Sequence, residues 1–257
     1  MFSTETVDFH THILPAIDDG AKTVEDSLRL INFVSSLNVS QIVLSPHYYP
    51  TQESVEEFIE KRNKSCQILA DALAKKQQNE EKKLPTFHLG CEVYLEPIIF
   101  NNEDLTPLTL NTSGNFMLTE LFYESEFTHS TETMIRQLFY SYNIVPILAH
   151  IDRYPFLLKE KNLYKLLEMG CVAQINVSSL SNFFIRKKLI KYIEKGYIGA
   201  FGTDIHSTNN IQKMKKGISY LKPDHIEYIT DVSTGILNKS KKESAITGTQ
   251  IDNIFAD

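Results

Sequence analysis

The chain is poor in cysteine and contains no tryptophan. Its three cysteines, Cys66, Cys91 and Cys171, form an odd and widely spaced set with no Cys-x-x-Cys pair. A disulfide framework and a cysteine-type zinc knuckle are therefore not expected. Cys91 and Cys171 fall in apolar runs typical of strands, where a buried and unreactive thiol is the expected state.

Long apolar runs and an excess of basic residues are also lacking. No stretch approaches the roughly 18 consecutive apolar residues of a membrane-spanning helix, and the first residues lack the basic and apolar regions of a secretory signal. The formal net charge of −6 disfavours a generic nucleic-acid or anionic-membrane binder, which needs a basic face. We therefore expect a cytoplasmic protein with no membrane insertion and no nucleic-acid partner.

What the chain does contain is a regular alternation of short apolar runs with helical stretches. With 257 residues, 42% of them hydrophobic, it can bury a large core. The strand-like runs are 7–13, 41–47, 86–94, 115–121, 144–150, 171–177 and 198–206. A capping box at Thr23 predicts the start of the first helix. Further helices are predicted at about 52–81, 131–142, 161–169, 182–195 and 224–237. This alternation predicts an α/β fold with a parallel sheet or barrel.

The first strand-like run ends in a His-x-His pair. Side chains alternate between the two faces of a strand, so His10 and His12 project the same way and can bind one ion. The pair alone is weak evidence, because two solvated histidines at a strand end would look the same. The adjacent Asp18 and Asp19 have an equally plain interpretation as turn and capping residues.

Metal-ligand side chains recur at the carboxyl ends of six of the seven runs: His10, His12, His47, Glu92, Glu120, His150, Asp204 and His206. In a (β/α) barrel these ends converge on one pocket. Imidazole and carboxylate ligands without thiolate suit Mn, Fe or Zn. The number of candidate ligands implies more than one ion. Clustered ions favour an in-line displacement at phosphorus, which predicts phosphate-ester hydrolysis.

Other residues near the predicted site leave alternatives open. The aromatic side chains Tyr48, Tyr49, Phe122, Tyr123 and Tyr154 could form the walls of a slot for a substrate ring or simply pack in the core. Arg153 could bind phosphate or pair with Asp152 or Glu160 at the surface. A cysteine-dependent tyrosine phosphatase is excluded, because none of the cysteines is followed by a short phosphate-binding loop that ends in arginine.

Taken together, the motifs resemble those of a known superfamily. They are His10-Thr-His-Ile-Leu-Pro with Asp18-Asp19-Gly, Ser-Pro-His47, Gly-Cys-Glu92, Thr-Glu120, Ala-His150-Ile-Asp-Arg153-Tyr and Gly-Thr-Asp204-Ile-His206. The chain resembles the polymerase-and-histidinol-phosphatase (PHP) superfamily over roughly residues 7–237. Within it, the Asp-Asp-Gly and His-Ile-x-Arg-Tyr blocks resemble the bacterial manganese-dependent tyrosine-protein phosphatases of capsule and exopolysaccharide gene clusters.

The resemblance implies a distorted (β/α)7 barrel in residues 1–237, with 238–257 as a tail or docking segment, and a site that holds three Mn2+ ions, with Fe or Zn as alternatives. One ion would be held by His10, His12 and Asp204. Glu92 would bridge to a second ion held by Glu120 and His150. Asp19, His47 and His206 would hold the third. Candidate catalytic residues are Arg153, which would bind phosphate, Asp204 and His206.

The implied reaction is hydrolysis of phosphotyrosine by a hydroxide shared between two ions, with His206 or Asp18 as candidates for a general acid. The implied substrate is the tyrosine-rich tail of a bacterial tyrosine kinase that controls polysaccharide export. The resemblance also implies a further arginine shortly after His206, but none is present there, and Lys213 is a candidate substitute. A histidinol-phosphatase-like phosphomonoesterase and a weakly active metal-binding regulator remain alternatives, and a homo-oligomer stays open.

Overall fold

Strands and helices alternate along the chain in the computed structural model, which describes residues 1–77, 84–123 and 126–241. The strands among these residues are β1 (Thr6–Thr11), β2 (Val39–Leu44), β3 (His47–Tyr48), β4 (Thr86–Leu89), β5 (Glu92–Tyr94), β6 (Phe116–Glu120), β7 (Val145–Leu148), β8 (Val172–Asn176) and β9 (Ile198–Gly202). The α-helices are α1 (Val24–Ser36), α2 (Val55–Gln77), α3 (His129–Tyr142), α4 (Glu160–Glu168), α5 (Phe183–Glu194), α6 (Ile211–Ile218) and α7 (Pro223–Lys239).

The strands form two parallel sheets. One has the order β1-β2-β4 and the other β3-β5-β6-β7-β8-β9, and every strand pair in the described part of the chain is parallel. The prediction of an α/β fold with parallel strands is confirmed. Because parallel strands all point the same way, their carboxyl ends lie along one edge of each sheet.

Two of the predicted strands are each divided in two, so the prediction of continuous strands over 41–47 and 86–94 was wrong. The first breaks at Pro46, which has no N–H to donate to a ladder. The second breaks at Gly90, whose missing Cβ would lie 3.1 Å from Val43 and 3.2 Å from Leu110. Hydrogen bonds continue across both breaks, from Gly90 N to the Leu44 carbonyl and from Glu92 N to the Pro46 carbonyl.

The helix signals read from the sequence are present in the structure. Thr23 accepts a hydrogen bond from the backbone N–H of Asp26, while the Asp26 carboxylate accepts from Thr23 N, which confirms the predicted capping box of α1. Gly170, just after α4, has a φ of +102°, the left-handed region where glycine is favoured. Helix α6 was not predicted.

Three further predictions concern cysteine, membranes and the chain's end. Cys66, Cys91 and Cys171 are all buried and free, as expected. No helix among residues 1–77, 84–123 and 126–241 is long and apolar enough to span a membrane. Helix α7 continues to Lys239, two residues beyond its predicted end. Most of the tail or docking segment predicted for 238–257, from residue 242 onward, lies outside the described residues. Residues 78–83, in the long helix predicted at about 52–81 and just after it, lie outside them too.

Candidate metal centre

The centre is built on β1, whose alternation places two histidines on one side of the strand. His10 and His12 are fully buried, and their Nε2 atoms lie 3.0 Å apart. Thr11 points away from them and donates its hydroxyl to the Val43 carbonyl on β2. The two imidazole nitrogens therefore face the same small volume, as the His-x-His spacing predicted.

Glu92, the first residue of β5, lies at the middle of the cluster. Its Oε2 is 3.0 Å from His10 Nε2 and 2.9 Å from His47 Nδ1, and its Oε1 is 2.8 Å from His150 Nε2. Burial would raise the pKa of this carboxyl, but the surrounding histidines hold it well below its usual range. An ionised carboxylate buried this deeply requires positive charge around it.

His150 and Glu120 lie beside Glu92. His150 follows β7 and has a φ of +30°, which is uncommon for a residue with a side chain. Its Nε2 is 3.5 Å from Oε1 of Glu120, the last residue of β6. Burial and the neighbouring Glu92 carboxylate both raise the pKa of Glu120. Two carboxylates so close together favour a shared cation.

A second group of side chains opens to solvent. Asp19 Oδ1 lies 3.1 Å from His206 Nε2 and 3.5 Å from His47 Nε2. The rings of His12 and His206 stack with centroids 3.9 Å apart. The Asp19 side chain is 70% exposed, so this part of the cluster is where solvent reaches the centre.

Asp204 connects the two histidines of β1 to Arg153. Its Oδ1 is 3.4 Å from His12 Nε2, and its Oδ2 accepts a hydrogen bond from Arg153 Nη2 at 2.5 Å. Burial would raise the pKa of Asp204, but the nearby His10 and His12 lower it strongly. Arg153 therefore has a different ion-pair partner from either alternative considered above, Asp152 or Glu160, and its side chain remains half-exposed.

The potential ligand atoms fall into four overlapping sets, each with all atoms within 4.8 Å of one another. The sets are His10, His12 and Asp204; His10, Glu92 and His150; His47, Glu92 and Glu120; and His12, Asp19, His47 and His206. All nine metal-ligand candidates from the sequence thus lie in one cluster. Glu92 belongs to two of the sets, which suits a bridging carboxylate.

The chemistry of the cluster fits divalent metal ions. Glu92 Oε2 and His47 Nδ1 are buried without a hydrogen-bond partner of good geometry among the described residues, although they lie 2.9 Å apart. Buried polar atoms normally have a hydrogen-bond partner. Two such atoms that lack one and face the same space are therefore evidence for a bound ligand between them. Imidazole and carboxylate donors with no thiolate suit Mn, Fe or Zn.

Asp18 orients His12. Its Oδ2 accepts a hydrogen bond from His12 Nδ1 at 2.8 Å, and its Oδ1 accepts from Gly20 N at 2.9 Å. Burial raises the pKa of Asp18, yet the hydrogen bond and charge of His12 lower it to about 2. A proton held on Nδ1 leaves Nε2 of His12 as the ligand atom, which is the usual carboxylate–histidine–metal arrangement.

Two buried amides on β8 complete the support of the centre. Gln174 Oε1 accepts from His150 N at 2.6 Å and lies 3.4 Å from His10 Nδ1, while its Nε2 donates to Asn176 Oδ1. Asn176 Nδ2 in turn donates to Asp204 Oδ2 at 2.8 Å. Neither amide was among the residues that sequence analysis placed at the centre.

Asp8, inside β1, bonds to the residue that follows β9. Its Oδ1 accepts from Thr203 N at 2.9 Å and its Oδ2 accepts from the Thr203 hydroxyl at 2.6 Å. Thr203 precedes Asp204, and Asp8 lies two residues before His10. This contact therefore fixes two ligand-bearing segments against each other. A carboxylate in an apolar run was its only signal in the sequence.

The aromatic candidates divide between core and rim. Tyr48 and Tyr154 are buried, and Tyr123 is exposed. Tyr49 is half-buried against His47, with ring centroids 5.3 Å apart, and its ring adjoins that of Tyr94, which contacts Phe122. A row of three adjoining rings thus begins beside His47, and Tyr94 is the member that sequence reasoning missed.

Comparison with known proteins adds to this geometry. Residues 6–238 match the profile of a family described as capsular polysaccharide synthesis, CpsB/CapC. CapC of Staphylococcus aureus is 30% identical over 218 residues, covering 82% of this chain and 80% of that protein. The tyrosine-protein phosphatase CpsB of Streptococcus pneumoniae is 24% identical over 221 residues, covering 79% of this chain and 84% of that protein.

A solved structure shares the fold. A chain from the crystal structures of YwqE from Bacillus subtilis and CpsB from Streptococcus pneumoniae, metal-dependent tyrosine phosphatases, superposes with a TM-score of 0.70 at 21% identity. The match covers 92% of this chain and 95% of that one. The arrangement of strands and helices described above is therefore that of a known fold.

Proposed function

The chain belongs to the CpsB/CapC family of capsular polysaccharide synthesis proteins, and we propose that it is a metal-dependent phosphatase that hydrolyses phosphotyrosine in proteins. The observation that carries the proposal is the convergence of nine imidazole and carboxylate side chains around Glu92. The relatives' names, tyrosine-protein phosphatase, support a phosphotyrosyl protein as the substrate, and the family description supports a role in capsule synthesis. The substrate that we propose is the phosphorylated tail of a bacterial tyrosine kinase in capsule or exopolysaccharide synthesis.

We also propose that the two sheets are parts of one distorted (β/α)7 barrel, which forms a phosphatase domain over residues 1–237. Supporting this, β3 and β5 continue the paths of β2 and β4 after short breaks. On the other side, His12 N donates to the Ile205 carbonyl and Asp204 N donates to the His10 carbonyl, which joins β1 to the segment after β9. In such barrels the carboxyl ends of the strands form the active site.

The residues proposed to hold three Mn2+ ions are those of the four sets above. His10, His12 and Asp204 would hold one ion, Glu92 would bridge to a second with Glu120 and His150, and Asp19, His47 and His206 would hold the third. When bound, divalent ions would screen the charge of the phosphate and make water a stronger acid at neutral pH.

The chain's own residues supply binding and orientation. The half-exposed guanidinium of Arg153 has N–H groups beyond the one given to Asp204, and it can donate these to two phosphoryl oxygens. Asp18 keeps the proton on Nδ1 of His12. A phenolate leaving group, with a reference pKa of about 10, needs little protonation compared with an alkoxide.

The row of rings formed by Tyr49, Tyr94 and Phe122 is proposed to contact the phenyl ring of the substrate. The row begins beside His47, a residue of the cluster, and its three rings are partly exposed. Offset or edge contacts between aromatic rings contribute about 0.5–1.5 kcal/mol each beyond the area that they bury. Such a wall would favour an aryl phosphate over an alkyl phosphate.

The proposal is tested with purified protein loaded with Mn2+. Phosphate release is measured from a phosphotyrosyl peptide, from the matching phosphoseryl peptide and from histidinol phosphate. We expect the phosphotyrosyl peptide to have the highest kcat/KM. Preference for histidinol phosphate would replace the proposal with a small-molecule phosphomonoesterase, and no turnover of any substrate by fully loaded protein would leave a metal-binding regulator.

A further inference from the structure

Two phenylalanines stand exposed at the start of α5. The Phe183 and Phe184 side chains are 73% and 88% exposed, and their rings meet edge to face at 6.0 Å. Exposed aromatic side chains in contact with each other are a common sign of a binding surface. Neither residue belongs to the metal centre or to the row of rings beside it.

These phenylalanines lie on the same side of the molecule as the metal centre. Helix α5 follows the carboxyl end of β8, where Asn176 bonds to Asp204. The short 3-10 turn Val177–Ser181 connects the two, and Ser179 donates its hydroxyl to Asp152, the neighbour of Arg153. The turn that contacts Asp152 therefore leads directly into the start of α5 and Phe183.

The surroundings of the pair are basic in a chain that is acidic overall. No aspartate or glutamate occurs in residues 169–193 or 205–223, although the chain has 32 acidic residues. Arg186 stacks on the rings of both Phe183 and Tyr220 and donates to the Leu180 carbonyl, which fixes it beside the pair. Lys187 and Lys188 on the same helix are exposed.

Helix α6 extends this basic surface. Gly217 lies so close to the 3-10 turn that a Cβ there would be 1.8 Å from the Val177 carbonyl oxygen, so α6 packs directly against it. The exposed Lys213 and Lys216 are three residues apart and share one face of α6. Helix α6 also starts five residues after His206, so Lys213 is close in sequence to a residue of the centre.

We propose that Phe183, Phe184, Arg186, Lys187, Lys188 and Lys213, the α5–α6 surface, bind the part of a phosphotyrosyl protein that flanks the phosphotyrosine. The inference rests on the proposed function and names the features that the substrate should have. An apolar or aromatic side chain would pack on the two phenylalanines, and acidic or further phosphorylated residues would pair with the cations. Complementary charge at such a rim mainly raises the rate of association.

The test separates binding of the flanking segment from chemistry at the metal centre. The double variant Phe183→Ser/Phe184→Ser is compared with wild type, with Tyr140→Ser as a matched control. Tyr140 is 81% exposed but lies near the C-terminus of α3, away from the carboxyl ends of the strands. Each protein is loaded with Mn2+ and assayed on para-nitrophenyl phosphate and on a phosphotyrosyl peptide with flanking aromatic and acidic residues.

We expect the double variant to raise KM for the peptide about tenfold while its kinetics on para-nitrophenyl phosphate stay those of wild type. The charge reversal Lys187→Glu/Lys188→Glu should have a similar effect that fades at high salt, and Lys64→Glu on α2 should not. An equal fall in kcat/KM on both substrates, or an unchanged KM for the peptide, would overturn the docking surface.

Binding is also measured without turnover, by fluorescence anisotropy of the labelled peptide, so that a failure of the proposed function remains distinguishable. If wild type binds the peptide more tightly than the double variant but hydrolyses no substrate, the docking surface stands and the proposed phosphatase activity is rejected. The double variant and wild type are also compared for binding to phosphatidylglycerol vesicles and for self-association in sedimentation velocity. If the double variant loses either property while its peptide binding is unchanged, the surface binds a membrane or a second copy, and the proposal is overturned.

Discussion

The guanidinium of Arg153 donates to Oδ2 of Asp204 across 2.5 Å, and the other oxygen of this carboxylate faces His10 and His12. One carboxylate thus connects the candidate phosphate-binding residue to the metal cluster. Because the guanidinium is planar, contact along one edge leaves the other edge available to a phosphate.

Replacing Arg153 with lysine is expected to lower kcat/KM on a phosphotyrosyl peptide by about 10- to 150-fold. Lysine keeps the charge but loses the two-pronged geometry, and hydrogen bonds to charged groups contribute about 1.5–3 kcal/mol each. Arg136→Lys on α3, an exposed arginine paired with Glu132, is the control. Wild-type kinetics in the Arg153 variant would remove this residue from phosphate binding.

Gln174→Leu is expected to weaken Mn2+ binding by about 10- to 100-fold without unfolding the protein, because this amide supports His150 and lies against His10. Isothermal titration calorimetry measures the affinity, and circular dichroism checks the fold. Gln67→Leu, a partly exposed glutamine on α2 that bonds to Asp71, is the matched control. Unchanged metal affinity would mean that Gln174 only fills space in the core.

Asp18→Asn separates two roles for this carboxylate. If Asp18 orients His12, the variant should bind Mn2+ more weakly and lose similar activity on aryl and alkyl phosphates. If Asp18 is instead a general acid, the alkyl phosphate, which has the poorer leaving group, should lose far more activity while metal affinity stays the same. Comparing the two substrates at saturating metal decides between the roles.

His88 gives a prediction about stability that is independent of the metal centre. It is buried between Gln41 and Asn111, and burial lowers its pKa from 6.5 to about 4. As pH falls below about 6.5 the unfolded chain takes up a proton that folded His88 resists, so stability falls with pH until about pH 4. Between pH 7 and pH 5 this should cost about 2 kcal/mol.

Urea unfolding at pH 7 and pH 5 measures the effect of His88. His88→Gln should show a loss of stability between these pH values that is smaller than that of wild type by about 2 kcal/mol. The exposed His129 provides the control, and His129→Gln should behave like wild type. An identical pH dependence in all three proteins would show that His88 is not kept neutral by the fold.

The alternation of strands and helices could be predicted because apolar periodicity and caps are local signals, as at Thr23 and Gly170. The convergence of His10, Glu92 and Asp204 could be predicted because parallel strands bring their carboxyl ends together whatever the separation in sequence. Gln174 could not, since its partners His150 and Asn176 depend on strand register, and an amide in a strand carries no metal-ligand signal of its own.

The break at Gly90 was also beyond local reasoning, unlike the break at Pro46, whose missing N–H is a local signal. Gly90 could have continued a strand, and only its contact with Val43 and Leu110 shows that no side chain fits there. Helix α6 has apolar residues at helical spacing, Ile211, Met214 and Ile218, but it is short, follows a polar turn and contains Gly217, a poor helix former. Its place is set by the close contact of Gly217 with Val177.

The central claim is that hydrolysis of phosphotyrosine depends on metal held by this cluster. Metal-stripped protein is titrated with Mn2+ while bound metal and phosphate release from a phosphotyrosyl peptide are measured on the same samples. Activity should be absent without metal and rise with occupancy in wild type, while Asp204→Ala should bind less metal and stay inactive. Full activity in metal-free wild type, or wild-type metal binding and turnover in Asp204→Ala, would contradict the account.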